Sequence, residues 1–279
     1  MLFNDQSLLA ALPSEDLAFW RASGDWRGLN DALHTESLRA VARSDYATAR
    51  ALQQENVALC QRMHDEQQLG AALFCLAINV SEMGDFAEAE VLFPETIQLL
   101  QSTGDNWTLS YLLGFMGDIA LRRDDYASAR VRLQQAVALF HQVGDSWSAA
   151  HRLRLLGRLS HQQNDTQAAA YFRESFSLFR RLGDRRGSPL CLSSIAEIAL
   201  VSDAPHCAAR LLGVAAALLD DDLSALSPDD QAIFEQTQVQ VRAQIGEALF
   251  AEEWRTGQRI ALEFGDALRG DVKLALSAV

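Results

Sequence analysis

Lysine is almost missing from this 279-residue chain: Lys273 is the only one, and the other 23 cationic side chains are arginines. The one ε-amino group lies in the C-terminal tail, so Schiff-base chemistry and the lysine of a phosphate-binding loop are excluded. The arginine preference itself fits the codon bias of a GC-rich genome. Net positive charge is lacking too. A formal charge of −13 opposes general binding to nucleic acid or to an anionic membrane, because attraction to phosphate needs a basic surface. Cysteine is sparse: Cys60, Cys75, Cys191 and Cys207 show no paired metal-ligand spacing and mostly fall on apolar helical stretches. They read as small core residues in a reducing compartment, not as disulfides or a zinc site. No stretch reaches 18 apolar residues, and the start MLFNDQSLLAALPSEDLAFW has no basic n-region. Neither a transmembrane helix nor a signal peptide is expected, and the location expected is cytoplasmic.

What is present is a period. Asp25, Asp65, Asp105 and Asp145 stand 40 residues apart, as do Asp45, Asp85 and Asp125. Leucine recurs at Leu33, Leu73, Leu113, Leu153 and Leu192, and again at Leu59, Leu99, Leu139, Leu178 and Leu218. One residue is missing near Asn164, after which each column resumes. A fixed period of this size marks a stacked-repeat architecture, in which each unit buries its apolar face against its neighbours.

One unit, Gly104 to Val143, shows the logic. Gly104 suits a helix C-terminus because glycine tolerates the left-handed conformation needed there. Asp105 supplies an N-cap oxygen for WTLSYLLGFMGDIALRR, whose Leu109, Leu112, Leu113, Met116, Ile119 and Ala120 form an apolar stripe. Asp124 and Asp125 mark a turn into YASARVRLQQAVALFHQV, with a facing stripe of Ala129, Leu133, Ala136, Val137 and Phe140. Two helices of about 16 residues with short turns make an antiparallel hairpin. Across units, Ser37, Ala77, Gly117, Gly157 and Ala196 stay small on the first helix, and Ala49, Ala89, Ala129, Ala168 and Ala208 on the second. Small facing residues let two axes approach closely. Gln53, Phe93, Leu133, Phe172 and Leu212 form a larger, space-filling column.

This grammar resembles the tetratricopeptide repeat, although the unit exceeds 34 residues and lacks a closing proline. The GD turns and the aromatic after the second aspartate (Tyr46, Phe86, Tyr126) resemble, more narrowly, the sensor region of bacterial LuxR-type and maltose-regulator-like ATPase regulators. ARLLGVAAALLD at 209–220, IGEALFAEEWRTGQRIALEF at 245–264 and the N-terminal LAFWRASGDW are similar to segments of those regulators. The resemblance covers most of residues 15–268. No glycine-rich phosphate loop and no helix-turn-helix after residue 268 accompanies it, so an excised sensor module or a stand-alone relative is expected.

The expected fold is therefore an all-α, tetratricopeptide-like superhelix of about five hairpins with helical caps. Its parts are a capping segment at 1–24, the array at 25–222 and a C-terminal cap and tail at 223–279. Ser14 reads as the N-cap of a first helix with Trp20 turned inward. Ser227-Pro228-Asp229-Asp230 reads as a helix start with acids on the positive helix end. A long helix from about 228 to 245 should follow, then two shorter ones interrupted at Gly246 and Gly257. Asp220, Asp221 and Asp222 lack the spacing of a calcium loop and read as a solvated turn.

In tetratricopeptide arrays the first helices line the concave surface, and here the columns beside the packing stripe vary from unit to unit. They gather Phe74, Tyr111, Asp118, His151, Arg154, Arg158, Ser193 and Glu197, with Trp107 and Trp147 at the groove edge. One reading is a mixed polar and aromatic pocket for a small polar or anionic ligand, or for a peptide segment of a partner protein. The other is a solvated face on which Asp118–Arg158 and Glu197–Arg158 are ion pairs contributing about 0–1 kcal/mol each. No catalytic residue, metal ligand or cofactor is expected. A small-molecule enzyme would have to use His151 or His161 with Asp118 and Arg154, and spacing places no nucleophile beside them.

Overall fold

The computed structural model describes residues 16–220 and 222–263, and among them every helix boundary falls near an aspartate or glycine of the repeat. The chain forms two compact units, Met1–Arg123 and Asp124–Val279. The first holds α1 (Leu17–Ser23), α2 (Trp26–Ala42), α3 (Tyr46–Met63), α4 (Glu66–Glu82), α5 (Phe86–Thr103) and α6 (Asn106–Arg122). Each helix packs on its neighbour in sequence, and α4 packs also on α6, the next first helix along. The second holds α7 (Tyr126–Val143), α8 (Ser146–Gln162), α9 (Ala168–Arg181), α10 (Gly187–Val201) and α11 (Pro205–Leu218). A short 3₁₀ turn (Leu223–Ala225), α12 (Pro228–Ile245) and α13 (Glu247–Glu263) complete it. Here too first helix packs on first helix, α8 on α10. The chain is an all-α helical repeat, and no strand occurs among the described residues.

Local chemistry sets these boundaries. Asp25, Asp45, Asp65, Asp85, Asp105, Asp125 and Asp145 each accept a hydrogen bond from the backbone N–H three residues on, at 2.9–3.1 Å. Such a cap contributes about 0.5–2 kcal/mol over alanine. The residue before each cap must turn left-handed. Gly24, Gly104, Gly144 and Gly183 do so at φ 66–77°, and His64 is forced to φ 54° at the same position. The helix expected to be capped by Ser14 is capped by Asp16, which accepts from the Phe19 N–H at 3.0 Å. Ser14 itself lies outside the described residues.

The packing columns are interior. Ala49, Ala89, Ala129 and Ala208 are fully buried, as are Leu133 and Leu212 in the larger column. Gly157 is small because the Phe172 ring lies where its Cβ would go, 2.7 Å away. Trp20 packs on Leu29, Leu33 and Leu59, turned inward as the sequence predicts.

The C-terminal segment departs from expectation. Gly246 does end α12, at φ 79°, but Gly257 interrupts nothing: α13 runs through it to Glu263. A Cβ on Gly257 would stand 2.1 Å from the Arg210 carbonyl oxygen, and one on Gly213 would stand 2.3 Å from that of Trp254. These glycines let α11 and α13 touch backbone to backbone. Around that contact, Glu253 accepts from Arg210 and pairs with His206 at 3.1 Å, and Trp254 packs against Phe234 and Phe250. In the acidic turn Asp222 caps the 3₁₀ turn and Asp220 pairs with Arg185, while Asp221 lies outside the described residues.

Candidate functional site

The residues singled out on the first helices divide between the two units. In the first unit, Asp105 caps α6 through the N–H and the hydroxyl of Thr108, at 2.9 and 2.6 Å. That clamp fixes the first turn, and with it Trp107, which is 49% exposed and stacks on Tyr111 with ring centroids 4.5 Å apart. Asp118, two turns on, is partly buried. Phe74 on α4 is only 4% exposed and belongs to the core.

The same device recurs 40 residues later with a different outcome. Asp145 caps α8 through the N–H and hydroxyl of Ser148, at 3.0 and 2.8 Å. Trp147 stacks on His151 at 4.0 Å, and the far edge of His151 meets Phe179 of α9 at 4.8 Å. The Trp147 indole N–H donates to Asp184 at 3.0 Å. Asp184 also accepts from the N–H groups of Arg186 and Gly187, which caps α10. Burial pushes the His151 imidazole down to about 4, with Arg154 and Arg152 adding in the same direction and Asp184 opposing. A histidine held neutral between two aromatic rings is part of the packing between α8 and α9. As a base it is weak at neutral pH.

One turn further along α8, Arg154 is drawn away. Its Nη1 meets the Asp230 carboxylate at 3.3 Å, with both side chains 14% exposed. Asp230 belongs to the first turn of α12, where the Ser227 hydroxyl donates to it at 2.7 Å. Since α12 also packs on α10 and α11, part of the first-helix side of this unit is covered by α12. Arg158 is near enough to Glu197 of α10 for its charge to act on that carboxyl. Burial raises the Glu197 carboxyl above the usual carboxylate range, and Arg158 opposes that shift. Ser193 is 4% exposed and its hydroxyl donates to the Pro189 carbonyl at 3.0 Å, so it serves α10 itself. His161 is partly desolvated and held below its ordinary value.

The structure thus brings together Trp107 with Tyr111 and Trp147 with His151. It sends Arg154 to Asp230 and leaves Phe74 and Ser193 in the interior. Sequence reasoning missed Phe179, Asp184 and Asp230. The only signal for Asp230 was its place in a helix start, which says nothing of a partner 76 residues away.

Other reactive groups are muted. Burial pushes the Cys75 and Cys191 thiols up to about 12, and all four cysteines are free. Among the described residues no cluster of three His, Cys, Asp or Glu side chains could hold a metal ion, and no helix is long and apolar enough to cross a membrane.

No protein-family model matches the chain, and no curated protein matches it. Among solved structures, the crystal structure of BtubC (BKLC) from P. vanneervenii aligns with a TM-score of 0.57. The alignment covers 80% of this chain and 91% of that one at 19% sequence identity. At that identity the likeness concerns the fold.

Proposed function

We propose that this chain is a non-catalytic ligand- or protein-sensing repeat module of a bacterial regulator, acting in the cytoplasm. Within each unit, binding is through the side on which the first helices of its hairpins lie. The observation that carries this reading is the contrast between columns. Positions that hold the hairpins together are small and buried, whereas the edge of the first helices repeats a clamped aromatic pair, Trp107/Tyr111 and then Trp147/His151. In the second unit, the Trp147/His151 pair on the same helix as the cationic Arg158 suits recognition of a polar or anionic ligand. The GD turns and C-terminal segments that resemble LuxR-type and maltose-regulator-like proteins support a sensing role. The formal charge of −13 argues against direct contact with nucleic acid or an anionic membrane.

A second reading is a stand-alone scaffold for a partner's peptide. Trp107, nearly half exposed, favours it, because exposed tryptophans anchor protein interfaces. The enzyme reading with His151, Asp118 and Arg154 is weaker, since Arg154 is engaged by Asp230 and His151 is a poor base.

Native mass spectrometry of protein purified from its own host tests the proposal. A retained small molecule that is lost in Arg158→Ala or Trp107→Ala, with the fold intact by circular dichroism, supports sensing. A retained peptide lost in the same variants supports the scaffold. Binding that survives both changes sinks the first-helix face as the site.

A further inference from the structure

The chain's formal charge is −13, yet the junction of α9 and α10 runs against it: residues 180–186 read RRLGDRR, four arginines around one acid. The junction uses the left-handed GD turn of the repeat, with Gly183 at φ 66°. Its equivalents carry no such charge, since STGDNW at 102–107 and QVGDSW at 142–147 hold no cation. Arg186 stands two residues after its aspartate, the place taken by Trp107 and Trp147 in those turns.

The charges of this turn are not equivalent. Asp184 accepts from three N–H donors, of Trp147, Arg186 and Gly187, at 3.0, 2.9 and 2.6 Å, so its carboxylate is held within the turn. Arg180 is half-buried with its guanidinium 6.0 Å from the Phe176 ring centroid, and Arg185 pairs with Asp220. Arg181 and Arg186 differ from both. They are exposed, and neither forms an ion pair among the described residues. Between them Leu182 is 47% exposed, whereas Thr103 and Val143 at its place in the equivalent turns are partly buried. Two forked cationic donors beside an uncovered leucine suit a carboxylate-bearing segment that also presents an apolar side chain. A long polyanion fits less well. Beyond about one Debye length, roughly 8 Å at physiological salt, it would lie along a chain whose net charge repels it.

We propose that the α9–α10 turn is a docking point for a short acidic peptide segment of a partner protein, with Arg181 and Arg186 engaging its carboxylates and Leu182 an apolar residue among them. These three residues are distinct from those invoked above for recognition, so the two readings stand or fall separately.

Fluorescence anisotropy of a labelled synthetic peptide, glutamates flanking a single leucine, titrated with the full chain tests this. The peptide should bind saturably, and its glutamine counterpart at least about tenfold more weakly, because charge-assisted hydrogen bonds are replaced by neutral ones. Arg181→Gln and Arg186→Gln should each weaken binding about two- to fivefold, the scale of an exposed ion pair, and the double variant about tenfold. Leu182→Ser should weaken it about threefold, through lost apolar contact. Arg62→Gln removes a cation from the same repeat position at the end of α3 and should leave the affinity unchanged. The circular dichroism of all these variants should match the parent, since each side chain is exposed. Absence of saturable binding, equal binding of the glutamine peptide, an equal loss in Arg62→Gln, full affinity in the double arginine variant or in Leu182→Ser, or tighter binding of an oligothymidylate of the same charge would each overturn the assignment.

Discussion

Replacing Gly257 by alanine sets two effects of opposite sign against each other, and the contact with α11 decides between them. In an ordinary helix interior the change gains about 1 kcal/mol, since glycine carries the larger backbone entropy cost. Here the new methyl would come within 2.1 Å of the Arg210 carbonyl oxygen and 3.0 Å of the Val214 nitrogen. Neither is the end of a flexible side chain. The strain can be relieved only by moving α13 off α11, which loosens Trp254 from Phe234 and shifts Glu253 against Arg210 and His206. Overpacking of this kind costs about 1–3 kcal/mol, occasionally more, so a net loss of up to about 2 kcal/mol remains after the propensity gain. Gly213→Ala should behave alike, because its methyl would meet the Trp254 carbonyl oxygen at 2.3 Å. The double variant should lose less than the sum, since helices already separated by one methyl accommodate the second. Urea unfolding with a fitted m-value, supported by hydrogen exchange along α13, measures all three. A Gly257→Ala protein more stable than the parent would refute the backbone contact. It would mark Gly257 as an ordinary helix-interior position with room for a methyl group.

Three further outcomes follow from single environments. Gln53 is fully buried with neither amide atom hydrogen-bonded among the described residues, in a column where Leu133 and Leu212 stand elsewhere. Gln53→Leu should stabilise by about 1–3 kcal/mol in chemical denaturation, and a loss would show that the amide is satisfied in solution. Arg154→Ala and Asp230→Ala should each cost about 1.5–3 kcal/mol, because a mostly buried charge is left behind. Their double-mutant cycle should show coupling of at least about 0.5 kcal/mol, and additive losses would mean the pair contributes nothing. His151 titrates near 6.5 when unfolded and near 4 when folded, so the unfolded chain binds more protons between those values. Its contribution is therefore complete above about pH 6.5 and is lost as pH falls towards 4. His151→Phe should flatten the pH dependence of the melting midpoint across that window, and an unchanged profile would place the imidazole in water.

The fold was legible because a repeat states its grammar several times over, and each statement is local. An aspartate three residues before the N–H it caps, and a glycine just ahead of that aspartate, are short-range devices, and they set α2 to α8 where the sequence placed them. His64, which stands where other units have glycine, adopts the same left-handed turn. The register of burial was harder. In the leucine column Leu59 is buried but Leu99 and Leu139 are only partly so, whereas the residues one further on, Cys60, Leu100 and Phe140, are fully buried. Identity of residue type across units does not reveal which of two adjacent apolar columns faces inward; only the neighbouring helix decides that. The site was less legible still, because its chemistry lies where the repeat is broken. Asp230 reaches Arg154 across 76 residues, and no period connects them. Gly213 and Gly257 likewise carry their meaning only as a pair: alone, each resembles a helix breaker, and the carbonyl oxygens they admit come from the opposite helix. Where a residue's role is fixed by its own helix, sequence sufficed. Where it is fixed by a partner brought in from outside the period, as at His151 between Trp147 and Phe179, the residue could be singled out but its environment could not.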